Sequence, residues 1–265
     1  MSHPRARAVA IPGIMVVAGL ASCSVCAQFG DCEGVAASGY KVLLDQIVGA
    51  QATSSPADVQ LFRGQVRSAV EGKIEELKLE TDSAIALILC DRSPTSSSAF
   101  THDRVDALDT RDVLLEIWGA TGRATDDAGH EVRSIRLDFA LIPVCESMNP
   151  RCVPFFPFLT QPTRIASPAA GVLALFRSAN DIATYSLMAL GVKWDRAGDE
   201  QRALRYLCEA DEKLARGDAT DDRKALRTFV QRTVREIVAR GRSNPTSTHH
   251  LMSDQQAEAP CAVSP

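Results

Sequence analysis

Four aspartates, Asp103, Asp106, Asp109 and Asp112, recur at every third position beside His102. On a helix this spacing makes a carboxylate stripe, and with the imidazole it could hold a hard cation. A calcium loop of the helix-loop-helix kind needs a different pattern, with acids at alternate positions and a glycine at its turn. Arg104 and Arg111 are interleaved with the acids, so neutralisation and capping account for them, and the segment reads as a solvated loop or helix face. Of the other histidines, His3, His130 and the adjacent pair His249 and His250, none has a partner at the spacing that puts two zinc ligands on one helix face. No metal site and no cofactor is expected. A Gly-x-Ser-x-Gly nucleophile elbow is also missing, and Gly119-Ala-Thr-Gly122 leads from one expected strand into another, offering a phosphate no helix N-terminus. No catalytic residue is assigned, although a triad assembled only in space stays open.

The cysteines carry more information. The chain holds 8 of them, and they bear on both compartment and covalent structure. Two arginines followed by an apolar run from Ala8 to Ala21 read as a secretory signal, too short and too interrupted by Pro12-Gly13 to span a membrane comfortably. Two exits from it compete. Leu20-Ala21-Ser22-Cys23 resembles the bacterial lipoprotein box and would make Cys23 the lipidated first residue; Val25-Cys26-Ala27 resembles an ordinary signal-peptidase site. The signal is therefore residues 1–22, or 1–27. Cleavage after Ala27 leaves an even set, Cys32, Cys90, Cys145, Cys152, Cys208 and Cys261, whose pairing is not readable because six cysteines admit about fifteen connectivities. Export to an oxidising compartment implies disulfides. Cys145 with Cys152 is the best local candidate, since Asn149-Pro150 between them is a turn signal. Cys90 and Cys208 stand in apolar stretches and are expected to pack as small hydrophobic thiols.

A net charge of -4 and a pI near 5.8 give no global signature of nucleic-acid binding. The clearest local charge lies between Arg223 and Arg242, where basic residues face the single acid Glu236. Arg223, Arg227 and Arg235 share one helical face there. Such a face is either simply solvated, its later cations suiting the helix C-terminus, or it meets anionic lipid or an acidic partner.

The elements that must position these groups follow from periodicity. Tyr40 to Val48 reads as a strand. Ser55-Pro56-Ala-Asp58 is an ordered helix start, with a cap, a proline at the first position and an acid in the first turn. The helix it opens should bury Leu61 or Phe62, then Val66, Val70, Ile74 and Leu77. Ser83 to Cys90 is a buried strand. Strands at Val113–Trp118 and Val132–Val144 flank a polar hairpin loop at Gly122–Gly129, and in the second of them Ile135, Leu137, Phe139 and Leu141 alternate with Arg136, Asp138 and Ala140. Residues 32–145 are thus expected to form an α+β domain in the order β, α, β, β, β, with an architecture like the small α+β domains of bacterial envelope lipoproteins. Residues 146–168 form a connector rich in proline and phenylalanine. Residues 169–242 form an all-α domain, and 243–265 a polar tail expected to be disordered.

Within the helical part, Leu187 to Arg216 reads as two helices broken at Ala197-Gly198-Asp199. Here the chain resembles a tetratricopeptide repeat: Leu187, Leu190, Gly191, Trp194, Ala203, Leu207 and Ala210 sit at the family's spacings, while Ala215 stands where its closing proline belongs. The likeness covers about one repeat. The helix from Asp221 or Asp222 to Arg240, closing at Gly241, is expected to cover the face one repeat cannot bury alone, with Leu226, Val230, Val234 and Ile237 inward. The resemblance implies a protein-binding surface, for which Trp194, Arg202, Arg205 and Tyr206 are the candidate contributors. A non-enzymatic envelope protein that binds another envelope protein is the leading expectation. An envelope hydrolase, or a small-molecule-binding domain seated in the α+β half around His102, Asp103 and Asp106, is the other.

Overall fold

A computed structural model describes residues 32–34, 37–49, 56–91, 102–125, 128–144, 163–165, 168–217, 221–243 and 261. Its elements are β1 (Tyr40–Gly49), α1 (Pro56–Thr81), β2 (Ile85–Leu89), α2 (His102–Asp109), β3 (Val113–Thr125), β4 (Glu131–Leu141), β5 (Thr163–Ile165), α3 (Pro168–Arg196), α4 (Glu200–Arg216) and α5 (Asp221–Ser243). A mixed sheet in the first part is followed by helices, which is the expected α+β and then helical arrangement at the coarse level.

The sheet order is β2-β1-β3-β4-β5. β1 lies parallel to both β2 and β3, whereas β3–β4 and β4–β5 are antiparallel. The β1-α1-β2 stretch is therefore a parallel crossover, because parallel neighbours need a long connection and α1 supplies it. β3 runs on to Thr125, so the hairpin connection is tighter than Gly122–Gly129, and β4 stops at Leu141. β5 falls among the connector's prolines and lies at the sheet edge, the position where missing amide donors are tolerated.

Both faces of the sheet are covered. On one, Val42, Leu44, Leu115, Ile117, Leu137 and Phe139 pack with Val66, Val70, Ile74 and Leu77 of α1, and that core continues into α3, α4 and α5. Phe139 meets Tyr185 of α3 edge-on at 5.8 Å between centroids. Of the two alternatives at the head of α1, Phe62 is buried and Leu61 is 56% exposed. On the other face, Leu43, Ala140 and Ile142 pack with Val105 and Leu108 of α2. The alternation expected in β4 accordingly fails: Asp138 and Ala140, read as outward, are buried. Asp45 and Glu116 are buried too, and Glu116 is ion-paired with Arg104 of α2.

α3 is one continuous helix of 29 residues. It ends as the sequence predicts. Gly198 takes φ +78°, its amide donates to Asp195 O at 3.0 Å, and the Asp199 amide donates to Trp194 O at 3.0 Å, the paired bonds of a glycine C-cap. Asp199 then caps α4 by accepting from the Arg202 amide at 3.0 Å. Gly191 lets the two helices touch, since a Cβ there would lie 2.6 Å from Leu207 Cγ. Leu226, Val230, Val234 and Ile237 of α5 are buried as expected, and the helix continues past Gly241 to Ser243.

Two disulfides are formed, Cys32–Cys90 and Cys208–Cys261. This corrects the reading of Cys90 and Cys208 as packed free thiols: an apolar neighbourhood describes a half-cystine as well as a thiol, and only the fold brings the partners in. Cys145, Cys152, the connector phenylalanines, Cys23 and the rest of the signal lie outside the described residues, as does the tail apart from Cys261. Among the described residues no helix is long and apolar enough to cross a membrane.

Candidate functional site

The α3–α4 hairpin does not stand apart from the sheet. It leans on the edge where β1 begins and α1 ends, and a cavity of about 430 Å³ lies in that seam. Gly39, Tyr40 and the turn Thr81–Ala84 line one side, and Trp194, Arg202, Arg205 and Tyr206 the other. All four partner-binding candidates read from the sequence thus line one cavity.

Backbone geometry builds the sheet side. The Tyr40 amide donates to Ala84 O at 2.9 Å. Gly39 sits at φ +80°, where a Cβ would stand 2.4 Å from Ala84 O, so the approach requires glycine. Asp82 adopts φ +50° in the turn, a left-handed conformation that aspartate tolerates better than most residues. The hairpin side is held by two long-range bonds: Tyr206 Oη donates to Thr81 O at 2.6 Å, and an Arg205 guanidinium N–H donates to Glu80 O at 2.9 Å.

The walls are aromatic and cationic. Tyr40 and Trp194 meet edge to face at 6.3 Å. The Arg202 guanidinium lies 4.4 Å from the Trp194 ring centroid, and that of Arg205 lies 5.7 Å from the Tyr206 ring. Arg202 Nε also reaches Asp199 at 3.4 Å. Burial raises the Tyr40 phenol pKa, Asp112 and Tyr206 add to the shift and Arg202 opposes it, so the ring stays neutral at physiological pH. The Trp194 indole N–H is buried with no hydrogen-bond partner among the described residues. Two guanidiniums over aromatic rings suit a carboxylate carried on an apolar or planar body. Among the described residues the lining contains neither His nor Cys.

The other candidates are placed differently. Arg223 pairs with Asp181 of α3, and Arg227 pairs with Asp211 of α4 at 3.0 Å. Arg235 Nε donates to Gln231 O at 3.2 Å. The basic face of α5 is in large part engaged with acids from its neighbours. Of the aspartate stripe, Asp106 is exposed. Asp109 bridges to α3, 2.9 Å from Lys193 and 2.8 Å from Arg196, and Asp112 lies 3.3 Å from Lys193. These acids latch α2 to the end of α3. The side chains of His102 and Asp103 lie outside the described residues.

Sequence reasoning missed Gly39, Tyr40, Asp82 and Ser83 as neighbours of the hairpin, because nothing local joins positions more than a hundred residues apart. It also missed a cluster on the far side of the sheet, where Cys32 Sγ, Cys90 Sγ and an Asp45 carboxylate oxygen all lie within 4.8 Å of one another. Comparison with known protein families, with curated proteins and with solved structures finds no match for this chain.

Proposed function

We propose that the chain is a non-enzymatic, exported envelope protein, lipidated at Cys23, that captures another envelope protein by docking a carboxylate-bearing segment of it in the cavity between β1 and the α3–α4 hairpin. The observation that carries this reading is the convergence of Trp194, Arg202, Arg205 and Tyr206 on one cavity. Arg205 retains guanidinium donors beyond the one given to Glu80 O, and a fork of that kind engages a carboxylate bidentately. The two disulfides support an oxidising, exported location. The lipoprotein box at Leu20–Cys23 supports the tether.

Charge reversal at Arg202, which leaves the Arg205 and Tyr206 bonds to the end of α1 in place, should sharply weaken capture of the partner in a pull-down from envelope extracts while leaving the circular dichroism spectrum and melting temperature unchanged. Undiminished capture would reject this surface. Radiolabelled fatty acid should label the wild type and not Cys23→Ala; equal labelling, or none in either, would reject the tether.

One observation favours a second reading. A cavity of about 430 Å³ is within the size range of small-molecule sites, which fits a small organic carboxylate bound with its site partly in the α+β half. Thermal-shift screening against such acids separates the two.

A further inference from the structure

We propose that Cys32, Cys90 and Asp45 form a second site, for zinc or a similar borderline divalent ion, that opens when the Cys32–Cys90 disulfide is reduced. The three donor atoms already lie within 4.8 Å of one another, so modest side-chain rotation after cleavage of the S–S bond brings them to the separations a tetrahedral ion needs. Two thiolates and a carboxylate are a donor set that suits zinc, and three protein ligands leave the fourth position for water or an outside group.

Backbone hydrogen bonds position the donors in addition to the disulfide. Cys90 follows β2, and its amide donates to Leu44 O at 2.9 Å, beside Asp45 in β1. Cys32 is held by its neighbour Glu33, whose amide donates to Leu89 O at 2.7 Å. Asp45 and Cys90 are buried, while Cys32 is partly exposed, which gives a reductant and then an ion a way in. The face also carries the hydrophobic cluster of Leu43, Ile88, Val105 and Leu108, which limits water around the donors and strengthens metal–ligand electrostatics.

The chemistry balances with a thiol reductant. A dithiol gives two electrons and two protons to the disulfide, leaving two protein thiols and an oxidised, cyclic reductant. The ion then displaces the two thiol protons into solvent as it binds the thiolates. The alternative role for the pair, a staple fastening residues 32–34 to β2, describes the oxidised form and is compatible with the reduced form binding metal.

Cobalt(II) titration of the purified full chain tests this. After anaerobic reduction with dithiothreitol and its removal, a thiolate-to-cobalt charge-transfer band should grow to one equivalent and be displaced by zinc, and the oxidised chain should show none. Cys208→Ser/Cys261→Ser should keep the band, Cys32→Ser/Cys90→Ser should lose it, and Asp45→Asn should weaken binding at least tenfold. A reduced wild type without the band would overturn the proposal, as would a band that survives loss of Cys32 and Cys90 or wild-type affinity in Asp45→Asn. X-ray absorption on the zinc-loaded wild type needs no variant: a mixed shell of sulfur and lighter ligands is expected, and an all-sulfur or sulfur-free shell counts against the site. Circular dichroism accompanies each titration, and a reduced chain that unfolds without metal and stays unfolded with it also rejects the proposal.

Discussion

The hydroxyl of Tyr206 donates to the carbonyl of Thr81 across 2.6 Å, joining residues 125 apart in sequence. Both groups are buried, so this bond fixes where the hairpin sits against the sheet and hence the width of the cavity. Tyr206→Phe removes the donor and leaves a buried carbonyl short of a partner, at a cost of about 1–2 kcal/mol. Chemical denaturation should register that loss. Hydrogen exchange at the Thr81–Ala84 turn should accelerate more than exchange in α5, and equal acceleration throughout would mean the bond does not position the seam.

Glycine-to-alanine substitutions should change sign with position. Gly191→Ala drives a Cβ to within 2.6 Å of Leu207 Cγ and 3.2 Å of the Leu207 backbone nitrogen, so the hairpin must open, at a cost of about 1–3 kcal/mol. In α1, Gly64 and Gly72 have nothing within 4 Å of such a Cβ. Alanine at either should raise stability by roughly 0.5–1 kcal/mol through helix propensity and the unfolded state. Melting temperatures of the three variants check this together.

Cys208→Ser opens a closure spanning 53 residues. The expected loss is roughly 2–4 kcal/mol under non-reducing conditions. Wild type in reductant should approach the variant's stability, after allowance for the second disulfide.

Asp138 is buried on the α2-covered face of the sheet, and burial raises its pKa above the ordinary 3.8, with the Arg136 hydrogen bond and charge opposing the shift. The folded chain therefore keeps this proton to higher pH than the unfolded chain does. The stability linked to it is complete below the unfolded value and is lost as pH rises through the folded one. Asp138→Asn removes the dependence and can still accept from Arg136. The melting-temperature difference in favour of the variant should grow as pH is raised from below 3.8 through that window and then level off; a difference independent of pH would show that the carboxyl does not titrate differently in the fold.

Legibility in the sequence followed the range of the interactions. The Schellman-type end at Gly198, the cap at Asp199 and the inward face Val66–Val70–Ile74–Leu77 depend on residues a few positions apart, and periodicity and capping rules reach them. The close approach at Gly191 was legible only through the repeat-like spacing that sets it against Leu207 of the next helix. The second face of the sheet was not legible, because Asp45, Glu116 and Asp138 are polar residues that the alternation rule sends outward. Glu116 is covered by α2, which brings Arg104 to it; Asp45 lies beside the Cys32–Cys90 disulfide; and Asp138 takes a hydrogen bond from Arg136. Trp194, Arg202, Arg205 and Tyr206 could be nominated from the hairpin alone. Their meeting with Tyr40 and Asp82 could not, since it is set by the docking of α3 and α4 on the end of α1. The two observed cysteine pairings were out of reach for the same reason: Cys32 and Cys90 stand 58 residues apart, Cys208 and Cys261 53, and only the fold brings them together.

The two disulfides also divide the molecule mechanically. Cys32 is bonded to Cys90 and Cys261 to Cys208, so each closes a loop within the chain. A pull applied beyond both cysteines passes through sulfur to Cys90, along the backbone to Cys208, and out through sulfur again. β1, α1 and β2 lie inside the first closed loop and α5 inside the second, so they bear none of the tension. Extension is confined to α2, β3, β4, β5, α3 and the first half of α4, and the half of the cavity made by Tyr40 and the Thr81–Ala84 turn keeps its backbone shielded while the half made by Trp194, Arg202, Arg205 and Tyr206 carries the load.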